Sequence, residues 1–378
     1  MSVPLPRRIE VSTPRGALRW VVRARWLQSQ VGAWYGEHAI PLAIIGTYTA
    51  LACFLHALGA APDALTGVLR PETYVATVAL VLYSAGVIAA LHCCGFIGRH
   101  RSGWRAAWAA ARRGPLRIEN ILRVLMLCLA LRLFLNVVDG LKASIPLMHP
   151  FSWDARLADA GQQLFGGVPA WALLQPLLGH PPVTRALDAL YMLWFPITTG
   201  ILLWQAWSSP APERTQFFVA FTLVWVVLGT ALATMLSSAG PCYFGLVVPD
   251  RPDPYAPLMR YLHDVDARAP LMAVSLQNGL WDAQRHGLPA GISAMPSLHV
   301  SLCTLFVLTG RQARRWLGWV LFVYAALVYV AGIHLGWHYA LDGLVGALGS
   351  WAIWCASGWL VRRAVASRRA ALTIPTAA

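Results

Sequence analysis

Charge is what this sequence has least of. Only 12% of its 378 residues are charged, while 57% are hydrophobic and the mean hydropathy is +0.55. A soluble protein carries about 25% charged residues. The shortage excludes a string of soluble domains and matches what lipid-facing helices need. Lysine is nearly absent: Lys142 stands alone beside 29 arginines. Cysteine is sparse and scattered. Cys53, Cys93, Cys94, Cys128, Cys303 and Cys355 fall in or beside apolar stretches, and only Cys242 sits in a long loop. That spacing suits neither a disulfide framework nor a metal cluster. Internal repeats and paired interrupted helices are missing too, which weighs against a transporter or flippase. No cleavable leader is expected, because the first apolar stretch begins near residue 38.

Apolar stretches dominate what is there. About 20 apolar residues cross a hydrocarbon core. Eight candidate spans result, at 38–58, 73–97, 119–140, 186–208, 215–238, 296–311, 315–336 and 341–362. The sixth is the shortest, and Pro296 suits its first turn. Arginine then sets the topology. The segments before span one, after spans two, four and six, and after span eight together hold 20 arginines, and the opposite loops hold seven. Arginine collects on the cytoplasmic side. Both termini are therefore expected inside, and the net charge of +14 reflects topology, not nucleic-acid binding. The long loops 141–185 and 239–295 then lie outside. Residues 155–165 in the first read as an amphipathic interfacial helix. The expected fold class is all-α, a polytopic membrane bundle. Residues 1–37 form an Arg-rich cytoplasmic segment, 38–118 two added spans with their loop, 119–363 a six-helix catalytic core, and 364–378 a tail. The membrane is expected to be a bacterial inner membrane, with the site facing the periplasm.

Three pieces of sequence at the outer face carry chemistry. Pro296-Ser297-Leu298-His299 opens span six, where free N–H groups and the helix dipole attract anions. His338 and Asp342 enter span eight four residues apart, a spacing that puts them on one helical face. There a carboxylate can hold one imidazole nitrogen and leave the other nucleophilic. Lys142 comes just after span three, with His149-Pro150 shortly beyond it.

Together these pieces resemble the type-2 phosphatidic acid phosphatase superfamily, which includes vanadium haloperoxidases. Its motifs are Lys-x6-Arg-Pro, Pro-Ser-Gly-His and Ser-Arg-x5-His-x3-Asp. The chain has Lys142-x6-His149-Pro150, Pro296-Ser297-Leu298-His299 and Ala331-Gly332-x5-His338-x3-Asp342. His149 and Gly332 stand where the family has arginine, and Leu298 where it has glycine. Replacement charge is open among Arg251, Arg285, His286, His334 and Arg132. Met295-Pro-Ser-Leu-His, Gly240-Pro-Cys-Tyr-Phe244 and the His-Tyr-x2-Asp ending resemble the inositol phosphorylceramide synthase branch.

The resemblance implies a two-step, metal-independent displacement. His338 is the nucleophile, Asp342 orients it, and His299 serves as general acid and base. Lys142, Ser297 and His149 bind phosphate, with Arg132, Arg285, His334 and Tyr243 as further candidates. Two histidines and a carboxylate could bind zinc, but Ser297 and Lys142 beside them fit a phosphate, so no metal or cofactor is expected. The expected partners are a lipid phosphate or phospholipid, a lipid or polyol alcohol or water as acceptor, and the bilayer, with no nucleic acid. The function expected is phosphotransfer to an alcohol, with hydrolysis of a lipid phosphate as the alternative. A transporter or an inactive scaffold is the reading of another class.

Overall fold

The computed structural model describes residues 36, 38–100, 103–208 and 211–372. The Arg-rich segment 1–35 and the last residues of the tail lie outside them. Contacts divide the chain into Met1–Ala39 and Ile40–Ala378. Of the first unit only Gly36, His38 and Ala39 are described; the second unit carries the helical bundle. Among the described residues there are helices and turns but no strand.

The N-terminal part contains α1 (His38–Ala57), α2 (Pro71–His100), α3 (Trp104–Arg113) and α4 (Ile118–Ala143). Only 17% of the most apolar window of α2 is buried inside the protein, at a mean hydropathy of 2.1. Such a surface is stable only under hydrocarbon. Short helices come next in the first long loop: α5 (Ile145–Met148), α6 (Asp154–Leu164) and α7 (Ala170–Leu178). α8 (Pro181–Met192) and α9 (Trp194–Trp207) break at Leu193 but together make one 27-residue span. α10 (Pro212–Leu223) runs into a π-helical stretch, Val224–Leu232, and ends as α11 (Ala233–Met235).

The second long loop is a helical cap. A 3-10 turn at Pro241–Tyr243 leads to α12 (Phe244–Val247), α13 (Ala256–Arg268) and α14 (Met272–Arg285). The chain ends with α15 (Leu298–Ala313), α16 (Arg315–His334) and α17 (Ala340–Leu372). α15 packs against α16, α17 and α10, and α4 closes the bundle against α9 and the π stretch. Among the described residues, seven helices are long and apolar enough to cross a membrane, so the protein is an integral multi-pass membrane protein. The expected sixth span, α15, has 16 residues. At 1.5 Å per residue it is about 24 Å long, short of the full core, and most of it is sheathed by other helices.

Two local expectations are corrected. α15 starts at Leu298, not Pro296, because the Ser297 hydroxyl accepts from Val300 N (3.4 Å) and so caps the helix. Helix α6 forms where an interfacial helix was expected, but its apolar face is not free for lipid. Leu157 and Ala158 pack inward against Phe244, Tyr255, Met295 and Tyr339.

Candidate active site

A cavity of about 320 Å³ opens where the ends of α4, α8 and α15 meet the loops before α15 and α17. The structure brings Lys142, His299 and His338 together in its lining. Lys142 arrives from the last turn of α4. His299 sits in the first turn of α15, and its Nε2 is buried without a hydrogen-bond partner among the described residues. Its ring stacks on Tyr191 (4.5 Å between centroids) and meets Trp194 at 4.3 Å. The His299 and His338 rings lie 6.1 Å apart.

His338 does not ride on a helix. It lies two residues before α17, so it and Asp342 do not share a helical face as their spacing suggested. The pairing arises from helix capping instead. Asp342, wholly buried, reaches back with Oδ2 to accept from Tyr339 N at 2.8 Å, the returning half of a capping box. The same oxygen stands 3.5 Å from His338 Nδ1. The closer partner of Nδ1 is the carbonyl of Ala294, at 3.0 Å. A carbonyl only accepts, so Nδ1 carries the hydrogen and Nε2 of the neutral ring keeps its lone pair.

The missing third-motif arginine has a physical counterpart. Gly332 O accepts from both Trp337 N (3.0 Å) and His338 N (3.1 Å). A Cβ at Gly332 would sit 3.3 Å from His338 Cδ2 and 3.6 Å from Tyr191 Cε2. The two rings occupy the space where a longer side chain would stand. Leu298, in place of the motif glycine, lines the cavity and packs on Gly229 in the π stretch.

The other expected site residues fall elsewhere. Ser297 is buried beneath the site as the α15 cap, and its N–H donates to Asp342 O (3.0 Å). His149 ends α5, its Nδ1 against Pro150 O (3.1 Å), outside the cavity lining. Arg132 is spent on Asn136 Oδ1 (2.7 Å) in its own helix. Arg251 makes a two-pronged pair with Asp159 at 2.7 and 3.0 Å. His286 donates to Asp282 O at 2.8 Å. His334 is buried against Thr184 Oγ1 (3.0 Å), and Arg285 lines a separate cavity. Tyr243 does line the site, but its hydroxyl donates to Gln277 O (2.8 Å). Among the described residues, no arginine lines the cavity. Its walls are aromatic, with Tyr191, Trp194, Phe195, Trp225, Tyr243 and Trp337, and Ser293 supplies a hydroxyl. Among the described residues, no group of three or more His, Cys, Asp or Glu side chains is placed to hold a metal ion.

Asp154, not singled out from sequence, ties the site together. Its buried carboxylate accepts from Ala239 N (2.9 Å), Gly240 N (2.8 Å) and the Tyr339 hydroxyl (2.8 Å). It thus links α6, a cavity-lining loop and the neighbour of His338. Burial pushes its pKa up from 3.8, and the backbone N–H groups of Gly240 and Ala239 and the Tyr339 hydroxyl oppose that rise. Gly240 is required here: its φ is +109°, and a Cβ would approach Trp337 O to 2.8 Å. An aspartate in a Trp-Asp pair opening a helix carries no sequence signal beyond an ordinary first-turn acid.

Comparison with curated proteins and with solved structures gives no significant match. A family model described as the PAP2 superfamily matches residues 155–356, just over half of the chain. The match covers His299, His338 and Asp342, while Lys142 precedes it. With a helical membrane bundle gathering Lys142, His299 and His338 at one cavity and Asp342 buried behind His338, the chain belongs to the PAP2 superfamily.

Proposed function

We propose that the protein is a lipid phosphotransferase working through a phosphohistidine at the outer membrane face. The superfamily places it among lipid phosphatases and phosphotransferases. The observation that carries the finer reading is the state of His338, with Nδ1 held by the Ala294 carbonyl and the ring lining a cavity it shares with His299 and Lys142.

In the first step the Nε2 lone pair of His338 attacks phosphorus as the bond from phosphorus to the leaving oxygen breaks. His299 gives that oxygen its proton. The neighbouring Asp342 carboxylate offsets the positive charge that forms on His338. Lys142 and the Ser293 hydroxyl steady the phosphoryl oxygens, and such positioning and electrostatics supply most of the catalysis in phosphoryl transfer. In the second step the acceptor hydroxyl gives its proton to His299 and attacks phosphorus, and the P–N bond breaks. No step here is routed through a metal.

Two features favour an alcohol over water as acceptor. Six aromatic rings line the cavity, against one lysine, two histidines and one serine as its other polar side chains. A wall of that kind holds a lipid chain and offers water few hydrogen bonds. The resemblance of Met295–His299 and Gly240–Phe244 to inositol phosphorylceramide synthases points the same way. A single fixed cation also suits a singly charged phosphodiester better than a phosphomonoester. The arginine bias supports an outer-face site.

The test is purified protein given labelled phosphatidylinositol, phosphatidic acid or a polyprenyl diphosphate, each with and without ceramide or diacylglycerol. A new phospholipid formed only with the alcohol supports transfer. Release of free phosphate at the same rate without any alcohol would show a phosphatase instead.

A further inference from the structure

Helix α3 has the build of a helix that lies on a bilayer surface. It follows the end of α2 and has 10 residues. Only Ala107 and Ala111 are buried, against Cys93, Phe96 and Ile97 of α2 and against Leu116. A helix this short is marginal in water, and two alanines bury little surface, so a further contact is called for. The remaining faces show which. Trp104 and Trp108, one turn apart, stack with 6.4 Å between ring centroids, yet stand 56% and 40% exposed. Arg105, Arg112 and Arg113 are exposed as well. Among the described residues no acidic side chain pairs with them.

These faces come in a definite order. At 3.6 residues per turn, the two tryptophans follow the packed alanines around the helix by about 60°, and Arg105 and Arg112 follow the tryptophans by about 70°. Protein contact, aromatic rings and cations thus succeed one another around one side. Tryptophan rings settle at the boundary between hydrocarbon and water. Arginines beside them reach phosphates at head-group depth. The chain has no acidic residue between Glu72 and Glu119 to repel such phosphates. Helix α6, where the sequence suggests an interfacial helix, packs its apolar face inward; α3 keeps its aromatic face exposed. Helix α4 starts at Ile118, just after α3, and its 26 residues span about 39 Å before ending beside Lys142. α3 therefore serves the bilayer surface opposite the catalytic cavity, the cytoplasmic one in the proposed topology.

We propose that α3 is a binding site for anionic phospholipids of that leaflet. Trp104 and Trp108 anchor at the head-group boundary, and Arg105 and Arg112 hold the lipid phosphates. A choline head group brings a positive charge of its own toward the arginines, so the site prefers lipids of net negative charge. The proposal is independent of the phosphohistidine chemistry.

The test is photo-crosslinking in full-length protein reconstituted into phosphatidylcholine nanodiscs. Photoreactive phosphatidylglycerol or photoreactive phosphatidylcholine, each with its diazirine near the head group, is added at the same mole fraction. After irradiation and digestion, mass spectrometry reads the label on residues 104–113. At least threefold more label from phosphatidylglycerol is expected, and the preference should shrink as salt is raised. Replacing Arg105→Gln and Arg112→Gln together should bring the two probes to parity, while Arg105→Lys with Arg112→Lys should keep the preference. Trp104→Ala with Trp108→Ala should halve the label from both probes or lower it further. Equal labelling of the wild type by the two probes, a preference unchanged in the glutamine variant, or no label on this helix from either probe would overturn the proposal.

Discussion

His338 is held by one short contact to Ala294 O (3.0 Å) and a longer one to Asp342 (3.5 Å). Substitutions at this site should therefore differ in depth. His338→Ala should remove essentially all turnover. His299→Ala should lower kcat by about 10²–10⁴-fold, the usual worth of a general acid and base. Asp342→Asn should be milder than either, because the Ala294 carbonyl still fixes the tautomer. Steady-state kinetics on all three would check the order; an Asp342→Asn loss as deep as that of His338→Ala would contradict it. Asp154 gives a pH prediction. Its folded pKa lies above the ordinary 3.8, so the folded protein holds this proton more tightly than the unfolded chain. The stabilisation it brings is full at low pH and lost as pH rises through the folded value. Asp154→Asn cannot ionise. The thermal midpoint of that variant, relative to wild type, should climb as pH is raised from about 4 toward neutrality. A constant difference across that range would contradict this assignment.

Elements explain what the sequence made legible and what it hid. Span positions are readable because composition and length alone decide them, and α2, α4 and α16 appear close to where they are expected. Order and spacing along the chain single out Lys142, His299, His338 and Asp342, and the structure brings the first three to one cavity with Asp342 beside His338. The contact between His338 and Asp342 has a different local origin from the one their spacing suggests: a capping interaction, not a shared helical face, brings them together. Ser297 and His149 are assigned to phosphate by motif alone, and only three-dimensional packing shows Ser297 turned into its own helix end. Asp154, Tyr191 and Ala294 are hidden, since their roles depend on chain segments far away in sequence. Gly332 yields the sharpest prediction at this scale. Restoring the family arginine there, Gly332→Arg, should lower activity instead of raising it, since the His338 and Tyr191 rings fill that space. Even Gly332→Ala should reduce kcat. Gly240→Ala should destabilise the protein by at least about 1–3 kcal/mol through its positive φ, read as a fall in thermal midpoint.

At the scale of the whole molecule, the proposed activity depends on the end of the bundle that carries the cavity. The candidate side chains gather where the ends of α4 and α15 meet the loop before α17, and the arginine pattern of the sequence is the basis of the proposed topology. The proposed topology puts that end outside. A C-terminal fusion to green fluorescent protein should fluoresce, and a C-terminal fusion to alkaline phosphatase should be inactive. The opposite pair of results would turn the bundle over and place the cavity inside the cell.

The most direct test of the phosphohistidine mechanism is to trap the intermediate. Purified protein is given a labelled phospholipid donor in the presence of EDTA and without acceptor, quenched in base, digested and analysed by mass spectrometry. The expected result is a base-stable, acid-labile phospho-adduct on the peptide containing His338, absent from His338→Ala protein and discharged when a lipid alcohol is added. Turnover with no such adduct, or turnover that survives in His338→Ala, would contradict the mechanism.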